Sequence, residues 1–168
     1  MHVIWFISHL FLIYTRGNGM TFPELLKLLS TGTNLDLGTA AKSGGCTIQF
    51  DKNIDVTFEN HDNNLYLFSP VMNITSVLSE DFFASLLQIQ LFGIATNRCW
   101  FGYDAGGQRV LLFCLFDLNK VTPEDAIERI EVLVDQVQYW QQNLPQIAKL
   151  SDTHSGAYRV NDSFQRPR

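Results

Sequence analysis

The stretch Cys46-Thr47-Ile48-Gln49-Phe50-Asp51-Lys52-Asn53-Ile54-Asp55-Val56-Thr57-Phe58-Glu59 alternates apolar and polar residues on both sides of a short polar break. Cys46, Ile48 and Phe50 share one face of a first strand, with Thr47 and Gln49 on the other. Ile54, Val56 and Phe58 repeat the pattern against Asp55, Thr57 and Glu59. A period of two marks a half-buried β-strand, because successive side chains point to opposite faces of a sheet. Asp51-Lys52-Asn53 supplies the tight connection between the two. His61-Asp62-Asn63-Asn64 then turns the chain into a third strand, Leu65 to Ser69, which Pro70 is expected to end.

Upstream of this meander, Thr21-Phe22-Pro23-Glu24 has the form of a capping box. The Thr21 hydroxyl can accept from the Glu24 amide while the Glu24 carboxylate reaches back to the Thr21 amide. Phe22, Leu25, Leu26 and Leu29 follow on one helical face, and the helix should end near Ser30–Gly32. Downstream, Ser79 is a good N-cap, and Glu80 and Asp81 favour the positive end of a second helix. Phe82, Phe83, Leu86, Leu87, Ile89, Leu91 and Phe92 make that helix apolar over much of its circumference, so it is expected to be covered on two sides. Arg98 to Tyr103 reads as a strand, Asp104-Ala105-Gly106-Gly107 as a turn, and the unbroken apolar run Val110 to Phe116 as a central strand covered on both faces. Thr122-Pro123-Glu124-Asp125 opens a last helix. Its apolar stripe runs through Ile127, Ile130, Leu133, Val134, Val137, Trp140 and Leu144 beside an acidic face of Glu124, Asp125, Glu128, Glu131 and Asp135. Pro145 is its expected end, and residues 151–168 read as a disordered tail.

The order α-β-β-β-α-β-β-α, with antiparallel hairpins and inserted helices, gives an α+β domain over residues 20–150. Residues 1–19 stand apart. Ten of the twelve residues from Val3 to Tyr14 are apolar, a run too short to span a bilayer as a helix. No Lys or Arg precedes the run, and Arg16-Gly17-Asn18-Gly19 is not a small-x-small cleavage site. The segment reads as an extension upstream of a start at Met20, with a membrane anchor or signal, or a structured segment, as the alternatives.

The chain has 168 residues, a formal net charge of -5 and 17% charged residues. No basic cluster occurs, which argues against nucleic acid, since phosphate neutralisation needs grouped Lys and Arg. So small a charged fraction leaves apolar surface for a partner. Cys46, Cys99 and Cys114 form no CxxC pair and are odd in number, so they read as reduced core thiols in a reducing cytoplasm rather than as disulfides or zinc ligands. The histidines, His2, His9, His61 and His154, are scattered among the extension, a turn and the tail. A general base needs an adjacent nucleophile or orienting group, and none is suggested by local spacing. Gly44-Gly45 and Gly106-Gly107 lack a phosphate-loop frame, and the acid pairs Asp51/Asp55, Glu80/Asp81 and Glu124/Asp125 have turn or helix-end reasons. No catalytic residue, metal or cofactor is assigned.

Residues 20–145 resemble the class I chaperones of bacterial type III secretion, the group typified by the chaperone of the translocated intimin receptor. The likeness is carried by Phe22-Pro23-Glu24-Leu25-Leu26-Lys27-Leu28-Leu29, by the meander quoted above, by Leu65-Tyr66-Leu67-Phe68-Ser69-Pro70, by the Phe/Leu-rich second helix, by a strand with a Gly-Gly turn, and by the acidic helix with Trp140 near its end. The resemblance implies a non-enzymatic cytoplasmic homodimer that binds the N-terminal region of secreted effectors in extended form. It implies a dimer interface at Leu87, Leu91, Trp100 and Phe101, and an effector surface at Phe22, Leu25, Leu29, Ile48, Phe50, Ile54, Val56 and Phe58. By the same analogy the ATPase of the secretion apparatus is a further partner, with no nucleic acid and no stable membrane insertion. The family usually begins at its first helix, so residues 1–19 depart from it. Two other readings stay open: a small α+β enzyme or ligand-binding protein, and an interaction protein anchored to a membrane by residues 3–14.

Overall fold

The computed structural model describes residues 19–33, 35 and 37–155. Helix α1 (Phe22–Thr33) leads through a short α2 (Gly38–Ser43) into β1 (Gly45–Asp51), β2 (Ile54–His61) and β3 (Asn64–Asn73). Then come α3 (Glu80–Ile89), β4 (Trp100–Asp104), β5 (Arg109–Asp117) and the long α4 (Pro123–Ser155). The five strands form one antiparallel sheet in the order β1-β2-β3-β5-β4. This is the expected α+β arrangement with one short helix, α2, added. The readings for residues 1–18 and 156–168 lie outside the described residues.

The alternating patterns place one set of side chains on an inner face. Ile48 and Phe50 of β1, Ile54, Val56 and Phe58 of β2, Leu65, Leu67 and Val71 of β3, and Val110, Leu112, Cys114 and Phe116 of β5 are all buried. They share one hydrophobic core with Phe22, Leu25, Leu26 and Leu29 of α1 and with Ile130, Leu133, Val134, Val137 and Trp140 of α4. The other face of the sheet lacks such cover. Leu111 and Phe113 of β5 are half-buried there and Leu115 is exposed, so β5 is central in the sheet but covered on one face only.

Three expected ends moved. α1 runs to Thr33. β3 passes through Pro70 because a bulge between Pro70 and Met72 absorbs the residue that cannot donate to the ladder. α4 passes Pro145, and residues 151–155, read as tail, are helical. Proline in a helix interior removes one backbone bond and costs about 3 kcal/mol. Leu144 and Ala148, buried on either side of it, anchor the helix against that cost. Gln141 stands one turn earlier, and its side-chain amide donates to the carbonyls of Asn53 (3.0 Å) and Pro70 (3.1 Å), joining α4 to the β1–β2 turn and to β3.

Both helix starts are capped, in different ways. At α4 the box is reciprocal: the Asp125 amide donates to Thr122 Oγ1 (3.1 Å) and the Thr122 amide to Asp125 Oδ2 (3.3 Å). At α1 the Thr21 amide and hydroxyl both donate to Glu24 Oε2 (2.7 and 2.8 Å), so the hydroxyl acts as a donor to the carboxylate. Ahead of the helix, the Met20 amide donates to the Leu118 carbonyl (2.8 Å). A Cβ at Gly19 would run into the Asn119 backbone.

The Thr21 amide, then the Thr21 hydroxyl, hold the Glu24 carboxyl below its ordinary pKa. A carboxyl lowered on folding contributes stability above its unfolded pKa and loses it as pH falls through the folded value. Glu24→Gln should therefore flatten that part of the acid limb of an unfolding curve and leave the neutral limb parallel to wild type. Phe58 is fully buried and stacked on Phe50 at 6.3 Å. Phe58→Ala should cost about 3–5 kcal/mol in urea denaturation, the range for aromatic deletion in a core.

Candidate functional site

Surface properties of the sheet and of α3 follow from where the core ends. Ser79 caps α3 by accepting from the Phe82 amide (3.3 Å), and Phe82 and Leu86 turn inward. The opposite side of the helix, expected to be covered, is open: Leu87 is 65% exposed. The helix also ends earlier than its apolar run suggests. After Ile89 the chain enters a short turn, Leu91–Gly93, in which Phe92 sits at φ 61.

That turn belongs to a strained connection. Phe92, Asn97 and Arg98 all have positive φ, as does Gly93. A bulky L-residue in the left-handed region costs about 1–2 kcal/mol, so surrounding bonds must hold it. The Gly93 amide donates to the Gln90 carbonyl (2.8 Å) and the Arg98 amide to the Gly93 carbonyl (2.8 Å). Gln90 Oε1 accepts from the Phe101 amide (2.7 Å), tying the turn to β4. The turn so held presents apolar groups to solvent, with Phe92 86% and Ile94 79% exposed.

The outer face of the sheet adds an aromatic surface. Register places Tyr66 opposite Leu115, and Phe113 between Phe68 and Trp100. Trp100 packs on the Phe113 ring at 6.1 Å and stays 40% exposed. Gly102 lies against the same ring, where a Cβ would sit at an ordinary contact distance of 3.5 Å. Tyr66 and Leu115 are exposed, while Phe68 and Leu111 are half-buried.

Leu87, Leu91 and Trp100 are therefore on the surface as expected of interface residues, and Phe101 is not. Its ring is buried on the inner face, edge-on to Trp140 at 5.2 Å, because strand alternation sends Trp100 and Phe101 to opposite sides. The eight residues expected to contact an effector, Phe22, Leu25, Leu29, Ile48, Phe50, Ile54, Val56 and Phe58, are all buried in the core. They form no open surface in this chain, because the faces of α1 and of the meander pack into one shared interior. Phe92, Ile94, Tyr66 and Leu115 were not among the residues expected to form an interface. The unbroken β5 run was the available signal of a second apolar face.

Polar groups are arranged for structure. Asp104 accepts from the Gly107 amide (2.9 Å) and from Arg109 Nε (2.8 Å), and these bonds, the amide first, hold its carboxyl below the ordinary range. His61 is exposed, 3.8 Å from Glu59 and edge-on to Tyr66. On the acidic face of α4, burial and then the charges of Asp135 and Glu128 raise the Glu131 pKa. Among the described residues no group of three or more His, Cys, Asp or Glu is placed to hold a metal. No described helix is long and apolar enough to cross a membrane.

The model of the Tir chaperone protein (CesT) family matches residues 24–141. No curated protein sequence matches the chain. One chain of the crystal structure of the ExsC-ExsE complex superposes with TM-score 0.58 at 22% identity, covering 74% of this chain and 97% of that one. One chain of the heterodimeric complex ExoU-SpcU, from the type III secretion system of Pseudomonas aeruginosa, gives TM-score 0.50 at 13% identity over 64% and 84%. These likenesses establish a shared fold.

Phe92→Gly offers a direct check on the surface. Glycine relieves the positive φ, so the thermal midpoint should hold or rise, with a gain of up to about 1 kcal/mol. Binding of an apolar dye such as ANS should fall at the same time. A lower midpoint would mean that Phe92 contributes packing within the chain.

Proposed function

This chain belongs to the Tir chaperone protein (CesT) family, and on that premise we propose that it is a cytoplasmic, non-enzymatic chaperone of bacterial type III secretion. It acts as a homodimer and holds the N-terminal region of one or more secreted effectors extended, stable and export-competent. The observation that carries the reading is an ordered apolar surface: Leu87, Leu91, Phe92 and Ile94 on α3 and the turn after it, with Trp100 and Leu115 on the outer face of the sheet. Contiguous apolar patches of this kind mark protein-interaction sites.

The sheet has two edges, β1 and β4. The apolar turn after α3 is tied to β4, so a two-fold interface on this side buries like against like. Leu87, Leu91 and Trp100, joined by Phe92 and Ile94, are its contacts. That leaves β1, which pairs only with β2 among the described residues. An extended segment can add there as a strand, with backbone bonds setting register and the buried core beneath keeping the edge rigid. The effector segment is disordered when free and loses conformational entropy on binding, so apolar anchors must outweigh that cost.

Light scattering on the purified protein should give twice the chain mass. Leu87→Glu with Leu91→Glu should shift it to the monomer without loss of circular dichroism, because both side chains are solvent-facing in the single chain. A strictly monomeric wild type would sink the dimer. Co-purification from the native bacterium should recover a secreted protein bound through roughly its first 100 residues, the length expected for a wrapping interface. A compact, natively folded N-terminal segment in that complex would contradict the extended mode.

A further inference from the structure

Two of the three cysteines face each other across a strand pair. Cys99 leads into β4, and Cys114 lies within β5. The register pairs Trp100 with Phe113, so the next step outward sets Cys99 opposite Cys114. Both side chains are buried on the inner face, beside Phe101 and Leu112, and each thiol shifts the pKa of the other.

The backbone makes this a close pair. Opposed residues that do not exchange backbone hydrogen bonds bring their Cα atoms to about 4.5 Å. The Cys99 amide donates to the Thr96 carbonyl (3.0 Å) and is thereby unavailable to Cys114. The buried Thr96 hydroxyl donates in return to the Cys99 carbonyl (2.6 Å), which fixes Cys99 in place. A pair of this kind lies inside the Cα range of about 4.4–6.8 Å in which disulfides form.

Cys99 and Cys114 both line a cavity of about 380 Å³, whose walls carry Arg98, Arg129, Asp125 and Glu128. Its charged lining suits water and small polar solutes. The neighbouring Cys114 thiol lowers the Cys99 pKa, while Cys99 and then burial raise that of Cys114, so the two thiols are unequal and Cys99 is the readier thiolate. Cys46, on β1, has its pKa raised by burial.

We propose that Cys99 and Cys114 form a modification site that hydroperoxides oxidise to a disulfide, with Cys99 as the attacking sulfur and Cys114 as the resolving one. The Cys99 thiol gives up its proton, the thiolate attacks one peroxide oxygen, the O–O bond breaks, and the leaving hydroxide (or alkoxide) takes up that proton and departs as water (or alcohol), giving a sulfenic acid on Cys99. The Cys114 sulfur then attacks the Cys99 sulfur. The S–S bond forms as the S–O bond breaks, and the leaving hydroxide takes the Cys114 proton and departs as water. Two thiols are oxidised and one hydroperoxide is reduced. The bond fastens the edge strand β4 to β5 directly behind Trp100 and Leu115, their sequence neighbours on the opposite face. The site goes beyond the chaperone reading, and its chemistry does not depend on it.

The test treats the purified full chain with hydrogen peroxide, alkylates the remaining thiols and maps the peptides. The expected product is a Cys99–Cys114 cross-linked peptide, lighter than its two thiol parts by about 2 Da, with Cys46 alkylated. Cys114→Ser should stop at a Cys99 sulfenic acid that dimedone captures, and Cys99→Ser should slow oxidation of Cys114 by at least about tenfold. Oxidation of Cys46 ahead of the pair, or a folded wild type in which Cys99 and Cys114 both stay alkylatable, overturns the proposal. Because the wild-type map needs no substitution and no partner protein, a failure here is separate from a failure of the chaperone reading.

Discussion

Burial of β3 and β5 beneath α4 is the contact on which the other elements depend. Leu65, Leu67, Val110, Leu112 and Phe116 meet Ile130, Leu133, Val137 and Leu144 in one core. Each such side chain contributes about 1.5–3 kcal/mol when fully buried. Against that sum, a proline inside the helix is a tolerable loss, and so α4 runs on past Pro145. The same packing brings Gln141 to the end of the β2–β3 ladder, where its amide serves the Pro70 carbonyl. Two prolines that break local rules are thus accommodated within one helix–sheet contact.

A helix layer covers one face of a sheet, and here the sheet has two apolar faces. The inner face is filled by α1 and α4. The outer face keeps Tyr66, Phe113, Trp100 and Leu115 at or near the surface, and the turn after α3 holds Phe92 and Ile94 outward at the expense of backbone strain. Hydrogen bonds within the chain hold this strain, and backbone outliers of this kind cluster at binding and switch regions. This is the physical basis for reading the surface as an interface.

Most of the local structure was legible in the sequence. The hairpin of β1 and β2, the Ser79 cap, the Thr122 box and the α4 stripe follow from rules that act over a few residues, and each appears where those rules place it. The candidate site was less legible. Leu87, Leu91 and Trp100 lie on the surface, but Phe101 and the eight residues of α1 and the meander lie in the core. Periodicity shows that a strand or helix has an apolar face without showing what that face meets.

The sequence by itself determined the element order, the inner-face residues and the absence of any local catalytic pattern, because alternation, capping and turn chemistry are encoded within short windows. Only the tertiary structure decided which apolar faces stay exposed, where the prolines are tolerated, and that Cys99 stands against Cys114. Those outcomes depend on residues far apart in the chain competing for the same interior space. The face of the sheet that α4 covers becomes core, and the opposite face keeps its aromatic side chains at or near the surface.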